Sequence, residues 1–278
     1  MIKVGIYGAS GYTGQELVRL LIRHPEAKIT AITSRRYKGV SIADVYPVFN
    51  SLTDLSFIDA SPQDVANKAD LIFLALPHGV SMSVAKAFLE SGKKIVDLSA
   101  DFRLKDAKTY EQWYGSHTAQ SVLADAVYGI PELFRDEIRK SSIVANPGCY
   151  PTSIVLGLAP VLKNNYIDLK SVIVDSKSGV SGAGREPQTG SLFCEVNDGF
   201  KAYKVGGQHR HTPEIEQGLC RIAGEDITIT FTPHLLPINR GILSTIYAGL
   251  TKKCTAADLE KLYREFYSNE KFVRICKA

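Results

Sequence analysis

Of five cysteines, one sits where a thiol can do chemistry. Cys149 lies in Asn146-Pro147-Gly148-Cys149-Tyr150-Pro151-Thr152, directly before the apolar, helix-like run 153–162. A helix N-terminus stabilises negative charge, so a thiol there shifts toward the nucleophilic thiolate. The flanking prolines and glycine favour an exposed elbow over a packed strand. A free cysteine is ordinarily small core filling, and that reading suits Cys194, Cys220, Cys254 and Cys276. A second cluster, residues 204–214, sets His209, Arg210 and His211 in a polar glycine loop before a helix with Pro213 in its first turn. Two imidazoles flanking a guanidinium can supply a base and an anion clamp. Zinc would need a third ligand at suitable spacing, and none is found, so no metal is expected.

A third candidate is the loop Gly8-Ala9-Ser10-Gly11-Tyr12-Thr13-Gly14, placed between an apolar run (2–7) and a helical pattern. Glycines in that setting permit a tight turn and let the backbone approach a pyrophosphate on the helix N-terminus. An NAD site usually offers Asp or Glu about 20 residues further on. Here Ser34-Arg35-Arg36 stands at that place, and a hydroxyl with two guanidiniums suits the 2′-phosphate of NADP. A second glycine loop, Ser178-Gly179-Val180-Ser181-Gly182-Ala183-Gly184-Arg185, follows a strand candidate and is read as an anion nest or as a surface turn.

The elements that must position these groups follow from periodicity. Strands are expected at 2–7, 28–34, 70–76, 94–98 and 142–145, with helices at 12–24, ended by Pro25, and 80–91. This alternation argues for a parallel sheet covered by helices on both faces. After about residue 150 the pattern changes to strands at 171–176, 227–231 and 242–250, read as an α+β domain with a more antiparallel sheet. Thr255 is the expected N-cap of a closing helix, 255–267, and 272–275 reads as the start of another strand. The expected organisation is a Rossmann-type nucleotide domain, 1–148, and a second α+β domain, 149–278.

Composition removes several classes of function. The chain of 278 residues is 45% hydrophobic and 22% charged, as an ordinary globular protein is. Its net charge is +4, with no block of like charges, so nucleic acid is not an expected partner. The nearest cysteines, Cys254 and Cys276, are 22 positions apart, which suggests neither a zinc knuckle nor a disulfide framework. Reduced, cytoplasmic thiols are the natural reading. No apolar run reaches the roughly 18 residues of a membrane span. The first apolar run starts at Ile2, so no leader peptide is expected.

Seven segments carry a resemblance: 8–17, 97–103, 128–132, 147–152, 181–185, 209–214 and 237–241. In that order they resemble the N-acetyl-γ-glutamyl-phosphate reductase family, related to aspartate-semialdehyde dehydrogenase. The resemblance implies an NADP-dependent reductase of a small acyl phosphate, acting through a thioester on Cys149 in arginine biosynthesis. It implies a base, His211 or failing that His209, with Glu214 one helical turn beyond it. Gly8, Ser10, Gly11, Tyr12, Thr13, Gly14, Ser34, Arg35, Arg36, Ser181 and Gly182 would hold the cofactor. Asn146, Glu214, Arg103, Arg210 and Arg240 would face the substrate, the guanidiniums binding phosphate and carboxylate. A homo-oligomer, dimer or tetramer, is implied for such second domains. Family members continue past this point with a glycine-rich segment and a last helix, so a nucleotide domain lacking its closing segment is expected. Two other readings stay open, an aspartate-semialdehyde-type activity and a non-catalytic NADP-binding fragment. A Cys/His hydrolase would need neither the first glycine loop nor Arg35.

Overall fold

The computed structural model describes residues 1–277. Two compact units divide the chain, Met1–Pro147 and Gly148–Ala278. In the first, strands β1 (Ile2–Tyr7), β2 (Ala27–Ile32), β3 (Leu71–Leu74), β4 (Lys94–Asp97), β5 (Ala126–Tyr128) and β6 (Ile143–Ala145) form a sheet of order β2-β1-β3-β4-β6-β5. All its pairings are parallel. Helices α1 (Tyr12–Leu21), α2 (Ile42–Val45), α3 (Pro62–Ala66), α4 (Ser81–Glu90), α5 (Ala107–Tyr114), α6 (Gln120–Leu123) and α7 (Pro131–Lys140) connect the strands. Two apolar clusters, one including Ile72, Phe88 and Phe102 and the other Val4, Ile6 and Phe57, bury the sheet. From β1 the chain passes to β2 on one side and then returns to β3 on the other side of β1. That reversal is the switch point at which such sheets bind ligands, beyond the carboxyl ends of the strands.

The expected strands near 2–7, 28–34, 70–76, 94–98 and 142–145 all form. Helix α1 stops at Leu21, before the expected end at His24, because Ile22 already serves as its C-cap. Short β5, with only three residues, carries too little periodicity to be read in advance.

The second unit comprises α8 (Cys149–Lys163), β7 (Ile173–Ser178), α9 (Phe193–Val196), β8 (Lys201–Ala202), α10 (Thr212–Ala223), β9 (Thr230–Leu235), β10 (Ile242–Tyr247) and α11 (Ala256–Phe266). Its sheet order is β10-β7-β9-β8. The β7–β9 pair is parallel between two antiparallel pairs, so the sheet is mixed where a more antiparallel one was expected. Of the ITITF segment, 227–231, only the last two residues belong to β9, which begins at Thr230. Ile227, Ile229 and Phe231 are nonetheless buried, which is the alternation the sequence displays. Thr255 caps α11 through a capping box with Asp258. Residues 272–275 form no strand; Phe272 is 94% exposed, and no neighbouring strand pairs with this segment.

The segment 97–103 is a buried polar hub at the exit of β4. Asp101 accepts hydrogen bonds from Gly79 N (2.7 Å), Met82 N (3.0 Å) and the Tyr110 hydroxyl (2.8 Å), fixing the start of α4. His117 Nε2 donates to Asp101 O at 2.7 Å, since its Nδ1 accepts from Ala119 N. Asp97 is fully buried, and desolvation pushes its carboxyl up to about 6, against the lowering effect of hydrogen bonds from Ser99. A folded-state value above the unfolded 3.8 means stability contributed by the protonated form. It is fully present below pH 3.8 and lost as pH rises through about 6. This shift corresponds to about 3 kcal/mol. Melting curves of the parent and Asp97→Asn between pH 4 and 7 should therefore diverge, the parent losing stability relative to the variant. Parallel curves would remove Asp97 as the titrating group.

Candidate active site

In the first unit, the loop after β1 has the form a pyrophosphate requires. Gly8 has φ +92°, and a Cβ there would lie 2.7 Å from Ala75 O. A Cβ on Gly14 would lie 2.3 Å from Ala9 O, so helix and loop touch only because that side chain is absent. Thr33 anchors the loop, its Oγ1 accepting from Gly8 N (2.9 Å) and its carbonyl from Ala9 N (2.8 Å). Ser34 Oγ donates to Ser10 Oγ at 3.1 Å, and the Tyr46 hydroxyl donates to Ser10 O at 2.8 Å. Helix α1 then begins with Gly11 as N-cap and no side-chain cap. Its first-turn N–H groups have no acceptor within the helix. Around Gly11 a Cβ would meet nothing within 4 Å. A cradle with a constricted floor and an open mouth fits a dinucleotide phosphate. Tyr12 and Thr13 form the first turn, and Arg35 and Arg36 are exposed just past β2. Burial raises the Tyr7 phenol, and Arg35 acts against it, which sets this guanidinium near the end of β1. Arg36 lies over the Tyr37 ring, 5.4 Å from its centroid.

Arg103 was expected to face the substrate. It is buried, with Nε donating to Asn146 O (2.7 Å) and Nη2 to Leu98 O (2.8 Å). Those two bonds tie the exits of β4 and β6 together. Asn146 is held further by donation from its own N–H to Asp97 O at 2.8 Å.

In the second unit, Cys149 is the first residue of α8 and is exposed. Pro151 is accommodated in that first turn because no intrahelical bond is lost there. His211 is the N-cap of α10, so the thiol and this imidazole both stand at helix N-termini. The Tyr150 ring packs against both histidines, 5.3 Å from His209 and 6.0 Å from His211 between ring centroids. Its hydroxyl is 2.9 Å from that of Tyr203. Burial raises both phenols, and the charge of Cys149 adds to the rise. Tyr150 and Tyr203 went unrecognised as site residues. Tyr150 adjoins the cysteine, but nothing in the sequence around Tyr203 marks it.

His209 is less suited to be the base. Its Nδ1 accepts from His211 N at 3.0 Å. Burial, with the neighbouring His211, Lys204 and Arg210, lowers its imidazole to about 3, so it is neutral at physiological pH. Glu214 is buried, and its Oε1 accepts from Gly148 N at 2.8 Å, a partner outside the expected one on His211. Arg210 and Arg240 are exposed.

Of the two readings of 178–185, anion nest or surface turn, the hydrogen bonds of the first residues favour the turn. Val180 N and Ser181 N donate to Ile238 O (2.9 Å) and Asn239 O (3.0 Å), and Gly179 N donates to Gly241 O (3.0 Å). Those donors are spent on clamping this loop to the one that carries Arg240. Ser181 and Gly182 thus bring a hydroxyl and open surface rather than backbone N–H groups. Among the described residues no group of three or more His, Cys, Asp or Glu could hold a metal ion.

A doubly wound nucleotide unit, followed by a unit with a helix-terminal thiol and imidazole, defines the semialdehyde dehydrogenase class of oxidoreductases. The family models agree: "Semialdehyde dehydrogenase, NAD binding domain" matches residues 3–141, and "Semialdehyde dehydrogenase, dimerisation domain" matches 149–278. The fold is also that of aspartate semialdehyde dehydrogenase from Candida albicans, solved with NADP (TM-score 0.70, 17% identity, covering 95% of this chain and 76% of that one). Sequence similarity is much higher to a protein named N-acetyl-gamma-glutamyl-phosphate reductase in Desulfotalea psychrophila, 56% identical over 275 residues, 99% of this chain and 80% of the relative. A namesake from Geobacter metallireducens is 56% identical over 278 residues, 100% of this chain and 80% of its own. The chain belongs to the N-acetyl-γ-glutamyl-phosphate reductase family.

The two glycines in the cradle make separate predictions. Gly14→Ala should lower the melting temperature by several degrees, since about 1–3 kcal/mol of overpacking is forced on the loop. Gly11→Ala should melt like the parent but bind NADP more weakly in a titration. Equal melting temperatures for both variants would contradict the cradle.

Proposed function

We propose that this protein reduces N-acetyl-L-glutamyl 5-phosphate to N-acetyl-L-glutamate 5-semialdehyde and phosphate, with NADPH as cofactor. The observation that carries the reading is Cys149 at the N-terminus of α8, with Tyr150 packed on the His209–His211 pair. Sequence identity of 54–56% to proteins named for this reductase supports the substrate over an aspartate-type one.

Cys149 Sγ attacks the acyl carbon; a C–S bond forms and the C–O bond to phosphate breaks. His211 takes the thiol proton and passes it to the departing phosphate oxygen. Backbone N–H groups at the start of α8 face the developing oxyanion. NADPH, when bound, supplies the hydride that reduces the thioester carbonyl. The tetrahedral adduct on Cys149 then collapses, its C–S bond breaks, and aldehyde and thiolate separate. A solvent proton relayed through His211 restores the thiol.

The cofactor is held by Gly8, Ser10, Gly11, Tyr12, Thr13 and Gly14 at its pyrophosphate and by Ser34, Arg35 and Arg36 at its 2′-phosphate, with Ser181 and Gly182 as further contacts. Arg210, Arg240 and Asn146 meet the acyl phosphate and carboxylate. Arg103 acts on the substrate through Asn146. The protein self-associates as a dimer or a dimer of dimers, and the outer face of the second sheet is where we place the contact. Cross-strand partners Ile173 and Tyr247, with Leu243, expose apolar surface there. A cytoplasmic location suits five free cysteines, and no helix among the described residues is long and apolar enough to cross a membrane.

The assay is the reverse reaction, NADPH formation from the semialdehyde, NADP and phosphate. A folded protein with no phosphate-dependent signal would favour the non-catalytic reading. Cys149→Ala should lower turnover by at least about 10³-fold while NADP affinity stays within about twofold. Turnover that survives the change would reject the thioester route. Arg35→Glu should weaken NADP binding about tenfold or more and NAD binding far less. Equal losses for the two would rule out the 2′-phosphate assignment.

A further inference from the structure

Helix α8 cannot close its own N-terminus. Its N-cap, Gly148, has no side chain, and its third position is Pro151, where a capping box would carry an acid reaching back to the N-cap N–H. Helix α10 has that acid at its third position, Glu214, yet Glu214 reaches the other helix. The N–H of His211 donates to His209 Nδ1 (3.0 Å), and Glu214 Oε1 reaches Gly148 N on the other helix (2.8 Å). Both Gly148 and Glu214 are buried, so no solvent competes for this bond.

From this exchange of caps we infer that Glu214 is a positioning residue for the nucleophile. By supplying from α10 the acceptor that α8 lacks, it fixes the peptide before Cys149 relative to the helix whose N-cap is His211. His209 holds the other end, since its Nδ1 fixes the His211 backbone. Thiol and base are thus registered through one carboxyl and one neutral imidazole, neither of which takes part in bond making. The inference rests on Cys149 being the nucleophile, and one arm of its test does not depend on turnover.

Two substitutions separate the hydrogen bond from the charge. Glu214→Gln keeps an acceptor oxygen at the same reach and removes the charge. Glu214→Asp keeps the charge and shortens the reach by one methylene. Displacing reacting groups by about 1 Å can cost about 10²-fold, so kcat should fall about that far in Glu214→Asp and by about tenfold less in Glu214→Gln. KM should move less than about threefold in both, as expected when positioning rather than ground-state binding is lost. Iodoacetamide alkylation of Cys149, followed by peptide mass, should slow in Glu214→Asp and hold its rate in Glu214→Gln. If Glu214→Asp does not fold, Glu214→Met replaces it, with similar volume and no acceptor oxygen. An Asp variant at or above the Gln variant, or a loss confined to KM, would overturn the inference. Should the chain show no turnover while alkylation keeps the predicted order, the positioning role stands and the proposed reaction falls.

Discussion

The bond from Gly148 N–H to Glu214 is the constraint on which the second unit's chemistry depends. A buried N–H left unpaired costs about 1–3 kcal/mol, and α8 begins with a residue sequence that offers no local acceptor. Glycine and proline around Cys149 give an exposed elbow at the helix tip, and the same residues forfeit self-capping. The acceptor therefore has to come from elsewhere in the fold. Because it comes from the first turn of α10, the helix that presents His211, satisfying the backbone also sets thiol and imidazole in one frame. The Tyr150 ring against both histidines and its hydroxyl against Tyr203 complete that frame.

Two glycine loops of similar composition meet opposite ends. After β1, the loop anchors its first N–H groups on Thr33 and then opens into a helix start without a side-chain cap. After β7, the loop donates its N–H groups to residues 238–241 and becomes a brace for the Arg240 loop. Which fate applies depends on whether another backbone lies within hydrogen-bond distance. Glycine content alone is silent on that. The same logic applies to Arg103, whose charge suggested substrate and whose burial commits it to the carbonyls of Asn146 and Leu98.

Much of the first unit was legible because its strands are buried on both faces and read as continuous apolar runs, separated by helices with clear ends. The form of the glycine loop after β1 was legible for a related reason: glycine spacing reports backbone directly. The second unit was less so. Its β9 begins three residues into the alternating segment, since alternation reports burial and Ile227 and Ile229 are buried before the ladder begins. Residues 272–275 have strand-like composition but no strand to pair with among the described residues, and composition cannot supply one.

By itself the sequence determined the chemistry available: a thiol at a helix start, an imidazole pair beside guanidiniums, a phosphate cradle followed by basic residues. These follow from residue type and local spacing, which short-range sterics and helix geometry translate into structure. Only the tertiary structure decided who holds whom. That Glu214 serves Gly148 and that Arg103 holds the Asn146 carbonyl are contacts between residues 66 and 43 positions apart. Hydrogen-bond donors are claimed by whichever acceptor the packed chain brings close, and no local pattern encodes that distance.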